Sequence, residues 1–164
     1  VYDLIYKIGG FMTLPVLLTY HPAISRAWSS ADYGHSRNLI IQAVTMDLII
    51  MLIVFCGFYF FSDYLFQLIF TRNIPELAHL FIPIAISAVL WQTSLIIQKP
   101  LEFNFRQKLM IGGILLTVII NGILNILTVP VYGYIASAYN TLICTGIYFL
   151  LVLYYAWNEI KLKL

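Results

Sequence analysis

Stretches free of charged residues set the layout of this chain, and their lengths match helices that cross a bilayer, which need about 20 predominantly apolar residues. No Asp, Glu, Lys or Arg lies between Lys7 and Arg26, which predicts a first span over about 4–24 with Pro15 as a kink position. The block from Asn38 to Ser62 is interrupted only by Asp47 and predicts a second span over 38–62. A third runs over about 77–98, with Pro83 in its first turns. From Leu109 to Asn158 none of the four charged residue types occurs, a stretch too long for one helix. A break is required, and Val129-Pro130-Val131-Tyr132-Gly133 offers it: proline ends one helix, glycine permits a turn, and spans over 109–129 and 133–157 form a tight hairpin. The expected fold is all-α, a polytopic membrane helix bundle of five transmembrane helices.

Composition agrees and narrows the class. The chain is 62% hydrophobic and 10% charged, with a mean hydropathy of +0.91. Soluble domains carry about 25% charged residues, so a water-facing surface is excluded. A net charge of +2 on dispersed basic residues excludes a nucleic-acid footprint. Cys56 and Cys144 both fall in apolar runs and read as small hydrophobes. The chain opens at Val1 directly in apolar sequence, with no basic leader, and reads as a single transmembrane domain, 1–164, of a longer protein.

Charge placement adds an orientation. Arg26, Arg37, Lys99, Arg106, Lys108, Lys161 and Lys163 fall on one side of the five predicted spans, against Arg72 alone on the other, apart from Lys7 inside the start of the first. The positive-inside rule makes the basic side, and the C-terminus, cytoplasmic. Tyr20, Trp28, Tyr132, Tyr134, Tyr154 and Trp157 lie where an interfacial aromatic belt belongs, whereas Trp91 and Tyr148 lie too deep for it.

Polar residues inside spans carry the functional signal, because lipid-facing polar groups are costly. Thr117, Asn121, Asn125 and Thr128 fall within a sector of about 80° at roughly 100° per residue, and no other side chain between Leu109 and Val129 is polar. In the last span Ser137, Asn140, Thr141, Cys144, Thr145 and Tyr148 gather within about 140°, and in the first Tyr2, Tyr6, Gly9, Thr13 and Tyr20 align. Two readings stay open: ordinary interhelical bonding between small and amide residues, or a shared substrate-facing cavity. Asp47 lies about 14 Å from the cytoplasmic end of its span. Ionised, it would cost about 2.5–3.5 kcal/mol there on insertion scales, which makes it an ion-coupling candidate beside a packing role. Lys7 stands four residues after Asp3, the favourable order for a helical ion pair, with substrate contact as the alternative. His21, His35 and His79 form no metal-ligand pattern, and no nucleophilic triad, phosphate-cradling loop or carboxylate pair occurs. No catalytic residue, metal or cofactor is expected, and the chain does not read as an enzyme.

The run Asn121-Gly-Ile-Leu-Asn125-Ile-Leu-Thr-Val-Pro130-Val-Tyr-Gly133-Tyr-Ile-Ala136-Ser-Ala138 resembles a run in the C-terminal half of polysaccharide repeat-unit flippases, members of the multidrug/oligosaccharidyl-lipid/polysaccharide exporter superfamily. The opening Val1-Tyr2-Asp3-Leu4-Ile5-Tyr6-Lys7, the Pro22-Ala23-Ile24-Ser25-Arg26 that follows, and Asp63-Tyr-Leu-Phe-Gln-Leu-Ile-Phe70 are similar to further helix ends of that family. The sequence departs from its pattern at Ala136-Ser137 and at Asn140.

The resemblance implies the last five helices of a twelve-helix transporter, a C-terminal lobe lacking its N-terminal partner lobe. It implies transport of an undecaprenyl-diphosphate-linked oligosaccharide repeat unit across the bacterial cytoplasmic membrane in polysaccharide biosynthesis, by alternating access. Asn121, Asn125, Asn140, Thr117, Tyr6 and Lys7 are then the substrate-cavity candidates and Asp47 the ion-coupling candidate. The partners are the lipid-linked oligosaccharide, membrane lipid and the missing lobe. Alternatives are a drug or cation exporter of the same superfamily, and a membrane-embedded polysaccharide polymerase or glycosyltransferase, against which the short outer connections argue.

Overall fold

A computed structural model describes the backbone of residues 2–70 and 76–163, and all side chains except those of 1–6, 8, 9, 12, 58, 59, 61–79, 81 and 164. The described residues form helices and no strand: α1 (Tyr2–Ser29), α2 (Tyr33–Phe70), α3 (Glu76–Ile97), the short α4 (Lys99–Phe103), α5 (Gln107–Tyr132) and α6 (Tyr134–Lys161). The protein is an all-α polytopic membrane bundle. Four stretches of the described residues are long and apolar enough to cross a bilayer: Tyr33–Gly57, Ile82–Phe103, Gln107–Tyr132 and Tyr134–Lys161. The predicted first span corresponds to the 28-residue α1, which holds Pro15 and Pro22 within one continuous helix but does not reach the apolar density of those four. At 38 residues, α2 outruns its predicted span at both ends.

Two connections use the same device. Beyond α1, Asp32 N–H bonds the Ala27 carbonyl and Ala31 N–H that of Trp28; beyond α4, Arg106 N–H bonds Leu101 and Phe105 N–H bonds Glu102. Each is a Schellman motif, which needs a left-handed residue at the position after the helix. Ala31 (φ 60°) and Phe105 (φ 57°) fill it without being glycine. Asp32 then caps α2 by accepting the His35 N–H at 3.0 Å. The third reversal corrects an expectation. Pro130 does not end its helix: α5 continues to Tyr132, and Gly133 alone (φ 67°, ψ −158°) separates it from α6. A proline near the end of a helix forfeits one ladder bond, here to the Ile126 carbonyl, and the ladder resumes past it, with the Gly133 N–H bonding the Val129 carbonyl at 2.8 Å.

In the bundle α6 lies between α3 and α5, while α1 packs on α2 and α3. The end of α1, the start of α2, α4 and the end of α6 meet in one cluster, with Trp28 against Tyr33 and Phe103 and with Ile40 and Ile160 beside them. Ala138, at the start of α6, packs on Leu80, Ile84 and Ala85 at the start of α3. Thus α1, α3 and α6 run one way and α2 and α5 the other, and all seven basic residues of the predicted cytoplasmic side gather at one end.

Lipid is as apolar as leucine, so helices in it are joined by close packing and polar bonds rather than by hydrophobic burial. Accordingly, the fully buried positions include Ala43, Ala88, Ala138 and Ala156 together with Ser87 and Ser94. Both serines bond carbonyls of their own helix, Ile84 at 2.7 Å and Leu90 at 2.6 Å. The outlier is α5, which contributes a single buried residue, Thr117.

Candidate functional site

The polar sectors predicted for α5 and α6 meet. Asn140, 5% exposed, donates through Nδ2 to Asn125 Oδ1 at 3.0 Å and to Thr128 Oγ1 at 2.8 Å. Asn125 in turn donates to Asn121 Oδ1, one turn back along α5, and Thr128 Oγ1 donates to the Leu124 carbonyl at 2.8 Å. These four residues form a ladder of neutral amides and a hydroxyl joining the two helices. The interhelical role is therefore present, and the ladder also borders open space. An open hollow of about 300 Å³ is lined by Thr128, Tyr132, Ile135, Ala136, Tyr139 and Asn140. Another, of about 100 Å³, is lined by Trp91, Thr117, Asn121, Cys144, Thr145 and Tyr148 among others.

The remaining candidates are placed differently. Thr117 shares the Asn121 face but bonds its own helix, at the Gly113 and Ile114 carbonyls (3.1 and 2.9 Å). Lys7 is an exposed residue of α1 and lines neither hollow. The side chains of Tyr6 and of Asp3, the expected partner of Lys7, lie outside the described residues.

Asp47 belongs to a separate interface, between α2 and α3. It is 0% exposed, and Thr93 Oγ1 donates to its Oδ2 at 2.6 Å. Its other oxygen, Oδ1, is buried without a partner. No Lys or Arg among the described residues pairs with it. The apolar neighbours expected along its own helix are there, and the partner comes from another helix, 46 residues away, which no local pattern announces.

A further polar chain was not anticipated. Tyr148, 1% exposed, donates to Gln98 Oε1 at 2.9 Å; Gln98 Nε2 donates to Glu102 Oε1 at 2.9 Å; and Lys99 Nζ meets Glu102 Oε2 at 2.7 Å. The Trp91 ring lies 5.4 Å from that of Tyr148, which accounts for the two aromatic residues too deep for an interfacial belt. Gly113 of α5 faces this ring, and a Cβ there would lie in ordinary contact with it, 3.4 Å from Tyr148 Cε2. At the basic end Glu159 joins Asn104 (2.7 Å) and Arg106 (3.1 Å), tying α6 to the α4–α5 connection.

No protein-family model matches the chain, and no solved structure matches it. The chain is similar to a protein of the archaeon Haloferax volcanii described as the probable low-salt glycan biosynthesis flippase Agl15, with 21% identity over 148 residues. That alignment takes in 90% of this chain and 31% of the relative, so the chain spans about a third of the relative's length.

Proposed function

We propose that this chain forms part of a glycan-biosynthesis flippase that carries a lipid-linked oligosaccharide across the membrane without altering its covalent structure. The observation that carries the reading is the similarity of nine-tenths of this helical bundle to a glycan flippase. The flippase-like run from Asn121 to Ala138, and not that archaeal relative, is the ground for an undecaprenyl-diphosphate-linked repeat unit as substrate, the bacterial cytoplasmic membrane as location, and a C-terminal lobe working against an N-terminal one. The basic end of the bundle then faces the cytoplasm.

Sugar hydroxyls need a hydrogen-bonding path through the bilayer, while the polyprenyl tail stays in lipid. Neutral amides suit this task, since they give and accept hydrogen bonds without placing charge in a hydrophobic setting. On this reading, movement of α5 against α6 exchanges the bonds among Asn121, Asn125, Asn140 and Thr128 for bonds to sugar, with Thr117 beside the inner hollow. Asp47, on this reading, exchanges a proton or cation with the transport cycle.

The test is made on the full-length protein in proteoliposomes, with a fluorescent lipid-linked oligosaccharide whose inner-leaflet copies are shielded from an added glycosidase. Wild type is expected to expose them. Joint Asn125→Leu and Asn140→Leu replacement is expected to slow exposure about tenfold, equal to ~1.4 kcal/mol of barrier. Offering the same glycan on polyprenyl carriers of other lengths tests the undecaprenyl assignment, which equal rates would overturn. Absence of movement, or a product of altered glycan mass, would overturn the flippase reading.

A further inference from the structure

Three cations at the basic end of the bundle are held by aromatic rings and not by carboxylates. The Arg37 guanidinium lies 5.1 Å from the centre of the Trp157 ring, Lys161 Nζ lies 6.0 Å from the same ring, and Lys163 Nζ lies 5.2 Å from that of Tyr33. Tyr33 and Arg37 are one turn apart on α2, as are Trp157 and Lys161 on α6, so two helix faces confront each other across this gap. Among the described residues no carboxylate pairs with any of the three, and Arg37 Nε is buried without a partner. The acidic side chains at this end are engaged elsewhere. Asp32 caps α2 through the His35 N–H, Glu102 holds Lys99 and Gln98, and Glu159 holds Arg106 and Asn104.

We propose that Arg37, Lys161 and Lys163, set on Trp157 and Tyr33, bind the phosphodiester headgroup of an anionic membrane lipid. A cation resting on a ring face is positioned at modest interaction strength and keeps its N–H groups free for a stronger acceptor. Phosphate is that acceptor, because a guanidinium fork and two ammonium groups make charge-assisted bonds to its oxygens. The continuation of the same helix faces identifies the source as a lipid. One turn deeper than Arg37 on α2 stands Ile41, 46% exposed, and one turn deeper than Trp157 on α6 stands Leu153, 37% exposed. An acyl chain below the headgroup lies along these side chains, whereas a soluble anion has no use for them. The site depends on the membrane bundle alone and stands apart from the flippase reading.

The experiment places the full-length protein in nanodiscs of phosphatidylcholine doped with phosphatidylglycerol, and counts retained lipids by native mass spectrometry. Wild type is expected to retain phosphatidylglycerol preferentially. Replacing Arg37, Lys161 and Lys163 with Gln is expected to lower that affinity roughly fivefold for each cation removed. Lys108→Gln, at the same end but outside the cluster, is expected to leave it unchanged. If the triple variant does not fold, Lys161→Gln with Lys163→Gln, both at exposed positions, gives the same reading. Millimolar pyrophosphate is expected not to displace the lipid. Equal retention of the two lipids, equal effects of Lys108→Gln and the cluster variants, or displacement by pyrophosphate would each overturn the proposal.

Discussion

The interface between α2 and α3 and the interface between α5 and α6 both bury polar side chains within the membrane, but by opposite means. The first holds a carboxyl group that is 0% exposed and has a single bond, from Thr93. Separating these helices would leave an ionisable group facing lipid, among the costliest events in a bilayer. The second holds neutral amides that bond to one another beside open hollows, and α5 adds only Thr117 to the buried set. Its bonds can be exchanged for equivalent ones to water or sugar. The contrast makes the α2–α3 contact the costlier one to part, with the one-residue joint at Gly133 between α5 and α6.

The largest expected effect comes from breaking the tighter interface. Thr93→Val keeps the shape and removes the hydroxyl, leaving the Asp47 carboxyl buried with no donor. Stability is expected to fall by about 2–3 kcal/mol, the usual penalty for a buried polar group stripped of its partner. Asp47→Asn keeps an acceptor for Thr93 and is expected to stay near wild type. Thr45→Val is the control: that hydroxyl is exposed and bonds only its own helix, at the Ile41 carbonyl, so a change within about 0.5 kcal/mol is expected. Thermal unfolding in a common detergent measures all three. Similar losses for Thr93→Val and Thr45→Val would remove the distinction between a locked interface and an ordinary one.

A somewhat smaller effect is expected at the joint. The backbone of Gly133 (φ 67°, ψ −158°) lies in a region open essentially to glycine, where a side chain costs about 1–3 kcal/mol. No neighbouring atom would block the new methyl, so Gly133→Ala isolates backbone strain from crowding. Hydrogen exchange is expected to quicken in α5 and at the start of α6 and to remain unchanged in α1–α3. A uniform rise through the bundle would show that α5 is not an independent part.

Much of this arrangement was legible in the sequence, for identifiable reasons. Charge-free runs fixed where α2, α3, α5 and α6 lie because charge is excluded from the bilayer core. The facing of Asn121, Asn125 and Asn140 followed from helical periodicity, which groups polar residues only where something polar awaits them. The reversals were harder to read. Ala31 and Phe105 occupy left-handed positions usually marked by glycine, and Pro130 is tolerated because it falls in the last turn of α5. Long-range partners were hidden altogether. Nothing local to Asp47 points to Thr93, and nothing local to Tyr148 points to Gln98, since helix packing alone brings them together.

The smallest expected effect bears most directly on whether the amide ladder can open. Asn140 divides its donor group between Asn125 and Thr128, and Asn125 keeps Asn121 as a second partner. Removing either residue of the Asn125–Asn140 pair therefore leaves the other with a remaining bond. A double-mutant cycle with Asn125→Leu and Asn140→Leu is expected to give a coupling near the membrane average of about 0.6 kcal/mol, and below the observed maximum of about 1.7 kcal/mol. At that strength thermal motion breaks the contact readily, and a sugar hydroxyl can replace it at little cost. A coupling above that maximum would make the ladder a lock as firm as the Asp47–Thr93 contact, and α5 would then move only as one body with α6.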